Sequence, residues 1–281
     1  MKKQWVGAGL FLLLLFVASF LIPPFALDPW GLFRPQKIVL IFFALSAVQF
    51  FGAALTKALG HRVGALMSGF IGGLLSSTAT TVSIAKDSHE VERSQTLRIA
   101  ALQSSILAML FETVAFLAAA GGVVALEVVH IHLAILIAIT VGLLVILWRR
   151  KPQRSHALPP EGKILDLTST LKLTGFIVLI MAASKAVQLW AGSQGLMLLT
   201  FVVSLFEVHG SLISSAQLYA SNGIDSAQYE KLVEISLLAS YCAKGVLIAA
   251  ISNSAFRTRA LLSLLPAFLF LVFHSFGFIQ L

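Results

Sequence analysis

The sequence predicts an all-α polytopic membrane protein with an internal repeat, and three observations carry that prediction. Of the 281 residues, 58% are hydrophobic and only 11% are charged, with a mean hydropathy of +0.93, far outside the range of soluble domains. Nine apolar segments recur along the chain, each bounded by short polar or charged loops. The two halves then repeat each other weakly but in the same order.

Taken in order, the segments 5–22, 37–59, 96–119, 124–148, 171–192, 230–252 and 260–280 are each long enough to cross about 30 Å of hydrocarbon. The first follows Lys2 and Lys3, is longer than the usual signal-peptide core and lacks a clean small-residue cleavage site, so it reads as an uncleaved helix. Asp28, Trp30 and Phe33 then read as an interfacial belt. Segments 63–85 and 195–221 are also long enough, but Gly and paired Ser interrupt both. The chain accordingly divides into an N-terminal helix and belt (1–33), a first repeat (34–148), a polar cytoplasmic connector (149–170) and a second repeat (171–281), all within one membrane domain.

Three matches define the repeat. Ala47-Val48-Gln49 answers Ala186-Val187-Gln188, Gly72-Gly73-Leu74-Leu75-Ser76-Ser77 answers Gly210-Ser211-Leu212-Ile213-Ser214-Ser215, and Arg98-Ile99 answers Glu234-Ile235. The offsets are 139, 138 and 136, and three ordered matches at nearly one offset are hard to obtain by chance.

Loop charge distinguishes two topologies, because Lys and Arg concentrate on the cytoplasmic side. If all nine segments cross, the better orientation places 12 loop Lys/Arg inside and 6 outside. If the two interrupted segments instead enter and return on one side, 15 lie inside and only Arg34, Lys37 and Lys231 outside. The second arrangement fits better and makes the repeats inverted, with a cytoplasmic N-terminus; broken helices that cross fully would offer the same chemistry at the same depth.

Non-helical backbone survives at membrane depth only where protein or a water-filled cavity satisfies its polar groups. Gly72, Gly73 and Gly210 are therefore the expected hinges, and Ser76, Ser77, Thr78, Thr80 and Thr81, with Ser211, Ser214 and Ser215, the expected substrate-binding hydroxyls. The following half-helix offers N–H donors to an anion, whereas hydroxyl and carbonyl oxygens suit a cation. The same small residues also serve as interhelical glue. Ionisable groups inside apolar segments cost at least ~2.5–3.5 kcal/mol each, and so mark pairs or functional sites. They are Glu112, Lys185, Glu207, His209 and Lys244. Lys244 is the expected counter-charge or proton-coupled switch with Glu207 as its gate partner, against a purely structural pairing with Glu207 or Glu112. His130 and His132 have no further ligand nearby in sequence and read as solvated at a membrane surface.

Other chemistry finds little footing. The net charge of +8 sits in loops, where it sets orientation, so nucleic-acid binding is not expected. The lone Cys242 excludes an internal disulfide framework and gives no metal-ligand spacing. No metal, cofactor or catalytic residue is expected. The partners expected are the lipid bilayer and a small ion or polar solute, with a homo-oligomer left open.

The stretches GFIGGLLSSTATTVSIAK (69–86) and LFRPQKIVLI (32–41) resemble a bacterial membrane family of unknown function associated with MgtC/SapB-type proteins. The resemblance is strongest over Arg34 to Lys86 and extends to the second half through Ser240 and Lys244. It implies a multi-pass protein of the bacterial inner membrane without an assigned activity. Where that family more often carries an Asp-Val-Asp type sequence, this chain has Glu207-Val208-His209, so the resemblance does not carry an acidic cation site over to this position.

The function expected is therefore a secondary transporter or channel for a small ion or polar solute, with its site between the Ser76–Thr81 and Ser211–Ser215 breaks. A non-transporting regulator or assembly protein, contacting partners through Arg149 to Lys163, is the alternative. An intramembrane hydrolase using Ser214 and His209 comes third, since no nucleophile elbow is present.

Overall fold

The computed structural model describes residues 2–28, 34–59, 64–89, 94–149, 165 and 167–275. Nine helices and no strand occur among these residues: α1 (Lys2–Leu21), α2 (Pro35–Leu59), α3 (Ala65–Asp87), α4 (Gln95–Gly121), α5 (Val123–Arg149), α6 (Leu167–Ser204), α7 (Val208–Ala220), α8 (Ser226–Ile251) and α9 (Ser254–Ser275). The chain is an all-α polytopic membrane protein. Seven of the helices, α2 to α6, α8 and α9, are long and apolar enough to cross a bilayer. Leu13, Phe111, Val145, Leu179, Val246 and Leu262 are all exposed, as lipid-facing side chains must be. Most of the connector, residues 150–164 and 166, lies outside the described residues.

The chain folds into two compact units. One is drawn from Met1–Phe50, Thr113–His130 and Lys163–Ser240, the other from Phe51–Glu112, Ile131–Gly162 and Tyr241–Leu281.

In the second unit, α3 doubles back on itself. Ser76 adopts extended geometry (φ −172°, ψ 108°) between two helical halves, α3a (65–75) and α3b (77–87). A Cβ built on Gly72 would lie 2.7 Å from Thr80 Oγ1. In a straight helix eight residues span about 12 Å, so the chain has reversed sharply between them. The neighbouring α4 shows which way each half runs. Gly69 lies against Ala101 and Gly73 against Ser105 and Ala108, so α3a and α4 run side by side in the same direction. Had α3b continued onward, Asp87 would lie about 33 Å from the start of α3a, and the eight steps to Gln95 reach at most about 27 Å. Length and hydropathy alone would make α3 a span; its folding makes it a re-entrant hairpin whose tip, Ser76, lies about 16 Å deep, near half the hydrocarbon thickness.

The open end of this hairpin is tied to the α8–α9 turn. Asn253 N–H donates to Ser88 Oγ (2.9 Å), Asn253 Nδ2 donates to Ser88 O, and His89 Nε2 meets Ile251 O (2.8 Å). Asn253 Oδ1 also caps α9 by accepting from Phe256 N–H (2.8 Å). Further along, Gln103 Nε2 donates to Ser263 O and Oγ (both 3.0 Å), so α4 and α9 rise in parallel from this same level. Asn253→Ala is expected to cost about 1–2 kcal/mol by removing a cap and the clasp together, read as a lower melting temperature of the solubilised protein.

In the first unit, α1 and α2 pack antiparallel through Trp5–Phe50, Phe11–Phe42 and Phe16–Phe43. The second interrupted segment is built differently from the first. The helix α6 reverses at Gly192 (φ 62°, ψ −154°), a left-handed conformation that favours glycine, which separates α6a (167–191) from α6b (193–204). Val187 Cγ1 would lie 3.1 Å from a Cβ on Gly195, eight residues later, confirming the fold-back. After a break at 205–207, α7 runs parallel to α6a. Gly210 lies against Ile177 and Ile180, Ser214 bonds Ser184, and Gln188 Nε2 donates to Gly223 O beyond the end of α7. Thus α6b descends about 18 Å from Gly192 and α7 returns about 20 Å to the same level, a second re-entrant hairpin. Asn222 (φ 57°) closes α7 in a Schellman arrangement, with Gly223 N–H donating to Leu218 O (2.8 Å) and Asn222 N–H to Tyr219 O (2.9 Å).

Candidate functional site

Each unit holds one hairpin tip, at Ser76 and at 205–207, and the expected residues distribute unevenly around them. At the α3 tip, Ser76 is exposed, Thr78 and Thr80 are half-buried, and Ser77 and Thr81 are buried. Ser76 Oγ accepts the Ala79 N–H (3.2 Å), the usual work of an N-cap serine at the start of α3b. Thr81 Oγ1 donates back to Ser77 O (2.8 Å), which commits that hydroxyl to its own helix. The expected hinge glycines have separate roles. Gly72 makes room for Thr80 across the break, while Gly73 lets α3a touch the backbone of α4, where a Cβ would lie 2.5 Å from Ser105 O.

The second break is not at Gly210, where a hinge was expected. It lies at 205–207, and Gly210 is inside α7, buried against Ile180, whose Cδ1 would lie 2.6 Å from an added Cβ. Gly210 thus lies within α7 against α6a and does not form the break, and the nearest atom to its Cβ position is the end of the flexible Ile180 side chain. Glu207 forms the N-cap in extended geometry (φ −143°, ψ 94°), its Oε1 accepting the His209 N–H at 3.0 Å. The His209 Nδ1 is 3.6 Å from the same oxygen, and its ring packs edge-on to Phe116 at 4.9 Å.

The three serines of α7 are all buried. Ser214 Oγ donates to Ser184 Oγ (2.9 Å) and Ser215 Oγ to Ser211 O (2.9 Å). Gln217 Nε2 donates to Ala120 O (2.8 Å), at the C-terminal end of α4. Ser214 is thus engaged with α6a. Lys185 is half-buried and donates to Gln188 Oε1 (2.9 Å) beside the α7–α8 turn.

In the second unit, Lys244 is wholly buried, seven residues before the end of α8, and its Nζ donates toward Met109 Sδ at 3.3 Å. Glu112, also buried, follows Met109 by one turn on α4.

The histidine pair expected at a solvated surface divides. His130 is exposed, with Nδ1 2.7 Å from Glu127 O. His132 is 3% exposed, and its Nε2 meets His274 Nε2 at 3.0 Å. The partner lies on α9, 142 positions away, beyond the reach of any local sequence pattern. Two imidazole nitrogens at that spacing suit a transition-metal ion. In the first unit, Glu230 and Glu234, one turn apart on α8, hold carboxylate oxygens within 4.8 Å of each other.

No curated protein and no solved structure matches the chain. A family described as a domain of unknown function, DUF4010, matches residues 43–252, well over half of the chain and including both hairpins. The chain belongs to this DUF4010 family.

Proposed function

We propose that the protein is a secondary transporter for a small ion or polar solute, with its solute-binding groups at the two re-entrant tips. The observation that supports this reading most is the pair of hairpins. Each spends about 16–20 Å of helix to carry a break and its polar side chains into the membrane, then returns to the level where it began. A protein that only anchored or assembled partners gains nothing from such segments, whereas discontinuous helices meeting solute at mid-depth are a recurrent transporter device.

Chain direction supports inverted repeats. With both hairpins returning, α2, α4 and α5 are the three crossings between the start of the first repeat and the start of the second. An odd number sets the two repeats in opposite orientations. The loop charges then favour placing Ser88 and the connector in the cytoplasm, with a cytoplasmic N-terminus and an inner-membrane location. Association with MgtC/SapB-type proteins rests on the Arg34 to Lys86 motif alone.

Two measurements test the reading. In a Cys242→Ala background, His89→Cys and Asn222→Cys are both exposed and are expected to react with an impermeant maleimide from opposite sides, His89→Cys from the cytoplasm. Labelling of both from one side contradicts the hairpins. In proteoliposomes challenged in turn with Na⁺, K⁺, phosphate and neutral amino acids, the Ser76/Ser77/Thr78→Ala variant is expected to insert normally and lose the flux the wild type shows. Undiminished flux defeats the site.

A further inference from the structure

Glu207 is flanked by two buried hydroxyls that find no hydrogen-bond partner. Ser204 is the last residue of α6 and Ser211 lies one turn into α7; each is 2% exposed, and the Oγ of each is unpartnered. Buried polar groups are almost always satisfied, and an orphan marks the place of a water or an ion. The two orphans lie three residues before and four residues after Glu207 in the chain, at a helix break, and one bound ion would satisfy both.

We propose that the α6b–α7 break binds a hard monovalent cation, Na⁺, through the Glu207 carboxylate and the Ser204 and Ser211 hydroxyls, with main-chain carbonyls of the last turn of α6b completing the shell. The ligand chemistry selects the occupant. Every donor is oxygen, which suits Na⁺, Mg²⁺ or Ca²⁺ over soft transition ions. A single carboxylate neutralises one positive charge, and a divalent ion would leave the other uncompensated in a low-dielectric setting.

An anion is excluded by what already occupies the helix end. The first turn of α7 would attract one, but Glu207 has placed its own carboxylate there and taken the His209 N–H. A carboxylate presents about four acceptor sites, so capping α7 leaves capacity for an ion. The break also concentrates carbonyl oxygen. Val203 O already serves two donors, the N–H groups of Phe206 (3.0 Å) and Glu207 (2.8 Å), and the remaining carbonyls of that turn have lost the continuing helix.

This site rests on the transport reading for its purpose, as the coupling or substrate ion, but not for its existence. The test therefore measures binding without flux. The full chain is purified into nanodiscs, and ²²Na⁺ binding is followed by scintillation proximity alongside melting temperature in NaCl, KCl, MgCl₂ and choline chloride at equal ionic strength. Wild type is expected to bind Na⁺ saturably and to melt higher in NaCl than in choline chloride. Losing one charged or polar ligand is expected to weaken binding about tenfold or more for Glu207→Gln and about three- to tenfold for Ser204→Ala and Ser211→Ala. Thr258→Ala, on an exposed face of α9, is expected to bind as wild type does.

Should Glu207→Gln fail to fold, the serine variants carry the test alone. Normal Na⁺ affinity in both of them overturns the site, as does Mg²⁺ displacing Na⁺ at equal concentration, or a melting temperature that follows pH but not Na⁺. A chain that binds Na⁺ through Glu207 yet moves no solute would defeat the transporter and leave this site standing.

Discussion

Gly73→Leu is expected to destroy the α3 hairpin, giving a protein that aggregates on solubilisation or melts far below wild type. The cause is backbone against backbone. An added Cβ would lie 2.5 Å from Ser105 O and 2.6 Å from Ser105 Cα, and neither can swing aside as a flexible side chain would. At Gly69 the collision is worse, 2.1 Å from Ala101 O. These two glycines, four apart, form the stripe by which α3a lies directly on α4, the small-residue solution to helix association in lipid. Overpacking a closed contact of this kind costs about 3 kcal/mol or more, a large share of the stability of most domains. Gly142→Leu provides the comparison, since nothing lies within 4 Å of its Cβ position, and it is expected to melt as wild type does. Equal melting of the Gly73 and Gly142 variants would contradict the close packing.

Lys244→Met is expected to insert and to lose at least nine-tenths of its flux per inserted molecule, with Lys244→Arg recovering part of it. An ammonium that is 0% exposed in an apolar helix carries a desolvation cost of several kcal/mol before any partner repays it. Methionine has similar length and no charge, so the substitution asks whether the charge itself is used. Arginine restores the charge but not the compact geometry that brings Nζ to Met109 Sδ. Flux in Lys244→Met equal to wild type would assign the lysine to structure alone. Flux must be normalised to correctly inserted protein, because Lys244→Ala would also open a cavity worth roughly 2–5 kcal/mol.

How far the sequence foretold these features depended on whether each signal was local. Hydropathy runs located nearly every helix, because crossing lipid demands a long uninterrupted apolar stretch that few other structures need. The Gly and Ser clusters pointed to both interrupted segments, and Lys and Arg counting favoured the re-entrant arrangement that the packing of α3a on α4 and of α7 on α6a describes. Position was harder to read. Glycine weakens a helix, so the sequence points to Gly210 as the second hinge, yet Gly210 lies inside α7 and the chain breaks at 205–207 instead. Gly192, which reverses α6, reads in the sequence only as the last residue of the apolar segment 171–192.

Contacts between distant positions were out of reach. Ser88 and Asn253 are 165 residues apart, and His132 and His274 are 142 apart, with no motif in either pair to betray the other. No sequence motif marks Ser204, whose interest comes from its burial without a hydrogen-bond partner beside the break.

The unequal construction of the two hairpins has a thermodynamic consequence. Two identical inverted repeats would make the inward-open and outward-open forms of a transporter mirror images of equal energy, populated half and half with no solute bound. Here one tip turns on a serine and the other on a glutamate, and one hairpin begins as a helix of its own while the other continues from α6a through a single residue. On the transport reading proposed above, the mirror relation is broken in the covalent chain, so the two forms of the empty protein would differ in energy. A difference of only about 1.4 kcal/mol would already set the ratio at ten to one.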